Sequence, residues 1–139
     1  MKWNLILMLA LMVVGISSCD IGDEGDNFRV QYQVAAVTSV EMPATLKFGE
    51  VNDIVVRFNN PSSCNTFFGF DVRPALNERE VRVVLEYQDT GDCIDLGVPQ
   101  EETLAFTATS NGSYVFRFFS GLSSSGEPQY LEYTVEVVE

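Results

Sequence analysis

The chain has 139 residues, with 8 basic and 20 acidic side chains, no histidine and three cysteines, and a net charge of −12. A field of that sign excludes nucleic acid as a partner and disfavours anionic headgroups. Without histidine, a Ser-His-Asp or Cys-His nucleophile system cannot be assembled, and zinc loses its usual imidazole ligand.

At the start of the chain, Lys2 precedes an apolar run from Leu5 to Ile16, which ends in Ile16-Ser17-Ser18-Cys19. A charged tip, a short apolar stretch and small residues before a cleavage point read as a secretory signal. The run is too short for the roughly 20 residues that span a bilayer. Its ending resembles the lipobox of bacterial lipoproteins: an aliphatic residue, two small residues, then the cysteine that is lipidated. The resemblance implies that residues 1–18 are a lipoprotein signal peptide and that Cys19 becomes the acylated N-terminus. An ordinary signal cut near Ser17-Ser18 or an uncleaved anchor are the alternatives. The former leaves Cys19 as an odd thiol in an exported chain, which needs an explanation that lipidation supplies. Two or more acyl chains give stable anchoring, so the expected partner of this end is a membrane.

Residues 19–27 follow as a tether, with four acids and two glycines in Asp20-Ile21-Gly22-Asp23-Glu24-Gly25-Asp26. Such a composition buries too little apolar area to offset its ordering entropy. The stretch is similar to the export signal that follows the cysteine in surface-exposed lipoproteins of the Bacteroidetes type. It reads equally as a solvated spacer facing the periplasm, and a calcium site is a third reading. The full spacing of a calcium loop and its terminal Glu are absent. The expected location is the outer membrane, on its surface or its periplasmic face.

Residues 28–139 form one domain of ordinary size. Phe28 to Val34 alternates apolar and polar without error, and so do the stretches around Ala44–Phe48, Ile54–Phe58, Phe68–Val72, Val81–Tyr87, Leu104–Ala108, Tyr114–Phe118 and Leu131–Val137. Short runs at period two, rich in β-branched and aromatic residues, are half-buried strands. They predict an all-β antiparallel sandwich of about 7–8 strands, with Phe58, Phe70, Val83, Leu85, Phe106, Phe116, Tyr133 and Val135 pointing inward. Turns are expected at Met42-Pro43, Asn59-Asn60-Pro61, Arg73-Pro74, Asp89 to Asp92, Val98-Pro99 and Ser110-Asn111-Gly112. The longest connections are expected from Cys93 to Glu102 and from Ser120 to Gln129, the latter a mobile Ser/Gly-rich loop.

Leu104-x-Phe106 followed by Gly112-x-Tyr114-x-Phe116 resembles the E-to-F region of immunoglobulin-like domains. There a G-x-Y-x-C strand turns its corner by setting the tyrosine hydroxyl against the upstream backbone. The resemblance covers about a dozen residues and implies an immunoglobulin-like sandwich. Phe116 stands where antibody domains have cysteine, and no tryptophan remains in the domain. Ser110-Asn111-Gly112 also suits a simple hairpin.

Cys64 and Cys93 are an even pair in an exported domain and should form a disulfide. Counting strand reversals puts both on loops at one end. Without a CxxC spacing, a structural bridge is favoured over a redox pair. Closing a loop of about 29 residues removes unfolded-state entropy worth roughly 3.5 kcal/mol.

No Gly-rich phosphate loop is present, and no cofactor is implied. Glu101 and Glu102 could do glycosidase chemistry only if they faced each other, and adjacent strand residues do not. The chain is therefore read as non-catalytic. Asp89, Asp92 and Asp95 put three carboxylates in one loop, either a calcium site or a polar turn. Phe67, Phe119 and Tyr130 lie near strand ends and could form a sugar or protein contact surface, or belong to the core. The expected function is a lipid-anchored envelope module that binds a protein or glycan partner or supports an envelope assembly. A structural subunit of a surface machine or fibre and a small inhibitor of a secreted hydrolase are the alternatives.

Overall fold

A computed structural model of the chain describes residues 30–139. The stretch expected to be a signal peptide (residues 1–18), Cys19 with the stretch expected to be a tether (residues 19–27), Phe28 and Arg29 lie outside the described residues. The described residues form nine strands: β1 (Val30–Ala35), β2 (Val37–Glu41), β3 (Thr45–Lys47), β4 (Val51–Ser62), β5 (Asn65–Ala75), β6 (Glu78–Gln88), β7 (Asp95–Thr107), β8 (Ser113–Leu122) and β9 (Pro128–Val138). They make two sheets, one of β2-β4-β7 and one of six strands in the order β1-β6-β8-β9-β3 with β5 also paired to β6. The fold is all-β and two-layered, as the alternation predicts.

The six-stranded sheet is mixed, which corrects the wholly antiparallel expectation. β6 runs parallel to β8 through Glu78↔Val115 to Val81↔Phe118, and β3 runs parallel to β9. Strands β1 and β8 share one edge of β6: β8 takes its first half, while β1 pairs antiparallel with its second half, from Ala35↔Val83 to Val30↔Gln88. At Ala36 the chain leaves this sheet and enters the other as β2.

Strand β2 was not anticipated because a bulge between Val37 and Ser39 breaks its alternation. Of two expected connections, one is largely strand and the other is half strand. β7 begins at Asp95 and pairs along β4, and the β8–β9 hairpin closes only at Leu122↔Pro128. Pro61, Pro74 and Pro99 sit inside strands rather than in turns. Pro99 and Pro74 are on strands β7 and β5, which pair on one side only among the described residues. Pro61 falls at a register shift in β4. Edges and bulges are where a missing ladder donor is tolerated.

The core lies between the sheets and includes Leu46, Ile54, Val56, Phe58, Val81, Val83, Leu85, Tyr114, Phe116 and Phe118. All eight residues expected to point inward belong to it or pack against it: Phe58, Val83, Leu85, Phe116 and Val135 are buried, and Phe70, Phe106 and Tyr133 are partly buried on it. Buried Asn52 ties the turn between β3 and β4 to both sheets. Its carboxamide accepts from Lys47 N at 2.8 Å and donates to the carbonyls of Lys47, Glu50 and Phe106.

Candidate functional site

Cys64 and Cys93 are disulfide-bonded, with Cα atoms 5.4 Å apart. Cys64 follows β4 and Cys93 follows β6, so both lie at the end of the domain where Val30 pairs with Gln88. The loop they anchor is built as a polar turn: Asp89 Oδ1 accepts from Gly91 N at 3.0 Å, and Gly91 has a positive φ of 84°. Asp89, Asp92 and Asp95 are not brought together as a metal site, and no group of three or more carboxylate or thiol ligands is gathered elsewhere among the described residues.

Glu101 and Glu102 face opposite ways, opposite Arg57 and Val56 respectively. Glu101 bonds Arg57 at 2.8 Å, and Glu41 approaches the same guanidinium at 3.3 Å from β2. Burial works to lower the Arg57 pKa, but attraction from Glu101 and Glu41 outweighs it, so the pKa stands above its ordinary value. This triad crosses the outer side of the three-stranded sheet and fastens its strands.

The tyrosine of the Gly-x-Tyr motif sets its hydroxyl against the upstream backbone. Tyr114 is buried, and its hydroxyl accepts from Thr109 N and Ser110 N, each at 3.1 Å, and meets Ser110 Oγ at 2.8 Å. Ser110-Asn111-Gly112 does not close a hairpin, because β7 and β8 belong to different sheets.

The three aromatic candidates separate. Phe67 is core, stacked on Phe58 at 6.1 Å and edge-on to Phe70 at 5.1 Å. Phe119 and Tyr130 are cross-strand partners, half-buried, with ring centroids 6.2 Å apart. They stand on the outer side of the six-stranded sheet, one residue out of step with the inward Phe118 and Leu131. Arg117 lies over the Tyr130 ring at 4.3 Å.

That outer side carries two further rings that alternation alone did not single out. Tyr32 and Phe68 are 58% and 59% exposed, yet their rings meet edge-on at 4.8 Å across β6. Phe68 is the extra residue of a bulge between Phe67 and Gly69, which turns it away from its inward neighbour Phe67. A second bulge, between Phe119 and Gly121, lies beside the other aromatic pair. The signal in the sequence was the doublet Phe67-Phe68, which breaks the alternation.

Below the rings, Arg73↔Glu80↔Arg117↔Glu132 is one register row across β5, β6, β8 and β9, alternating in charge at every step. Opposite charges in adjacent strands stabilise the pairing. The neighbouring row, Val72, Val81, Phe118 and Leu131, faces the core. Arg82 bonds Glu80 through Nη2 at 2.6 Å. The Glu80 hydrogen bond, with a further bond to Tyr130, raises its pKa against the opposing effect of burial. The outer face thus holds aromatic groups at its Val30 end and a self-neutralised charge lattice beyond them. Comparison of the chain with protein-family profiles, with curated proteins and with solved structures finds no match to any of them.

Proposed function

We propose that the protein is a lipid-anchored, non-catalytic module of the bacterial cell envelope, immunoglobulin-like in design, that binds a partner through the outer face of its six-stranded sheet. The observation that carries this reading is the exposed Tyr32–Phe68 pair. A sheet face turned to water is ordinarily polar, and here a bulge presents a large ring to solvent instead. Contiguous exposed apolar groups rimmed by polar side chains mark interaction sites.

The lipidation reading supports an orientation. A chain tethered at Cys19 enters the domain at Val30, beside Gln88 and the disulfide, so that end would face the membrane. The β5–β6 turn lies at the opposite end of β6, about 33 Å away at the usual strand rise. Leu76 at this turn is 99% exposed and holds φ at 56°, a strained conformation for a branched side chain. An apolar tip held outward in this way favours the second reading, a subunit of a surface assembly docked through Leu76.

Affinity capture from intact cells tests the two together. Loss of the co-purifying partner in Tyr32→Ala and Phe68→Ala, with Leu76→Gly unaffected, supports the binding face. The reverse pattern supports the assembly subunit, and partners insensitive to all three substitutions overturn both.

A further inference from the structure

We infer that the ligand of the outer face is a neutral glycan chain, laid along the strands from Tyr32 and Phe68 to the charged row at Glu80. This rests on the binding-face reading above and adds the chemical class of the ligand.

Charge selects the class. Each arginine of the face is already compensated: Arg73 lies 2.9 Å from Asp71, Arg82 lies 2.6 Å from Glu80, and Arg117 lies 3.7 Å from Glu132. Carboxylates are in excess around them, in a chain of net charge −12. Among the described residues an anionic ligand would find no free cation here and would meet repulsion. A basic partner would find only the left-over carboxylates, such as Glu86, which has no ion-pair partner among the described residues, and beyond these would have to break pairs that already exist. A neutral polyhydroxylated chain has neither problem, since each hydroxyl both donates and accepts. It can donate to the carboxylate and accept from the guanidinium of one ion pair without removing either charge from its partner.

Shape agrees with charge. The apolar C–H side of a sugar ring packs on an aromatic face, and the edge-on Tyr32–Phe68 pair presents one ring face and one ring edge side by side. The two rings already pack on each other at 4.8 Å, which reduces the side-chain freedom lost on binding. Glu86, opposite Tyr32, and Glu80 are six residues apart on β6, about 20 Å at the usual strand rise. That span suits a short oligosaccharide with one end stacked on the rings and the other among the ion pairs. The polar groups would set orientation while the rings supply contact, the usual division of labour in a ligand site.

Affinity electrophoresis of the full chain tests this, in native gels containing α-mannan, laminarin, xyloglucan or amylopectin, with polygalacturonate and chondroitin sulfate as acidic polymers. At least one neutral polymer should retard the protein and neither acidic polymer should. Tyr32→Ala and Phe68→Ala should each weaken the retardation tenfold or more. Val51→Ala, at an exposed position on the other sheet, should not. Both aromatic side chains are largely exposed, so these variants keep the fold, which circular dichroism checks. No retardation by any neutral polymer, retardation by the acidic ones, or retardation that survives both aromatic substitutions overturns the proposal. Blank gels together with cellular capture of a protein partner that depends on Tyr32 and Phe68 would sink the glycan while leaving the binding face standing. Blank gels with capture indifferent to both residues would sink both readings.

Discussion

Tyr114 and Ser110 are joined by a 2.8 Å hydroxyl–hydroxyl bond at the crossing from one sheet to the other, and the same phenol oxygen accepts the backbone N–H of Ser110. With the Thr109 N–H also accepted, the corner between β7 and β8 has its otherwise unpaired donors satisfied by one buried side chain. Tyr114→Phe removes that acceptor while conserving the ring. Thr109 and Ser110 are themselves exposed, so water can replace part of what the phenol oxygen gave. The loss should be that of a net hydrogen bond, about 0.5–1.5 kcal/mol, read by urea unfolding. An unchanged midpoint would mean that the corner closes without the hydroxyl.

The Tyr114 phenol should ionise at about 8 rather than 10. Burial alone would raise its pKa, but the combined hydrogen bonds from Ser110 and Thr109 to the phenolate outweigh that effect. A group whose pKa is depressed by folding contributes stability that is fully present above its unfolded value and is lost as pH falls through its folded value. The contribution of Tyr114 should therefore grow as pH rises from 8 to 10. Absorbance near 295 nm should show one early tyrosine step that is missing in Tyr114→Phe. Comparing the urea stability of the two proteins across this range checks the sign.

Cys64 and Cys93 close a loop of 29 residues at the end where the chain enters the domain. The double substitution to alanine should destabilise by roughly 3.5 kcal/mol on the chain-entropy account. The same loss should follow reduction of the wild type. If the double variant unfolds at the wild-type midpoint, the bond adds nothing that the sheets do not already hold.

Asn65 is buried beside Cys64, and neither its Oδ1 nor its Nδ2 has a hydrogen-bond partner among the described residues. Its backbone carbonyl, by contrast, accepts from Asn60 Nδ2 at 3.1 Å. Replacing a buried unsatisfied amide by an apolar group of similar shape relieves its desolvation cost. Asn65→Leu should therefore raise stability by about 1 kcal/mol or more. A clear loss in calorimetry would show that the carboxamide is satisfied by solvent inside the fold.

Cys19→Ala should block acylation and leave unprocessed precursor in a bacterial host, as the Ile16-Ser17-Ser18-Cys19 ending implies. Metabolic labelling with a fatty acid and mass analysis of the product read this directly. A labelled variant cut after Ser18 would contradict the lipobox reading.

Alternation, a strictly local property, was enough to place the strand centres. A period of two assigns each residue to one face, and so the burial of Phe58, Val83, Leu85, Phe116 and Val135 followed from their neighbours alone. The disulfide was legible for a related reason: each strand reverses the chain, so parity puts Cys64 and Cys93 at one end. Where local pattern and pairing diverge, the reading stopped. Leu96-Gly97-Val98-Pro99 has the composition of a loop and becomes strand only because β4 offers a ladder beside it. Which strand lies next to which depends on contacts distant in sequence, so neither the parallel β6–β8 pairing nor the seat of β1 at the same edge of β6 was visible beforehand. The proposed binding face belongs to that second kind of fact. Tyr32 and Phe68 are 36 positions apart and meet only across β6, and the row Arg73, Glu80, Arg117 and Glu132 exists only once four strands are in register. Sequence decided which side chains turn outward; tertiary pairing decided which of them stand together, because register is set by partners that one strand alone does not specify.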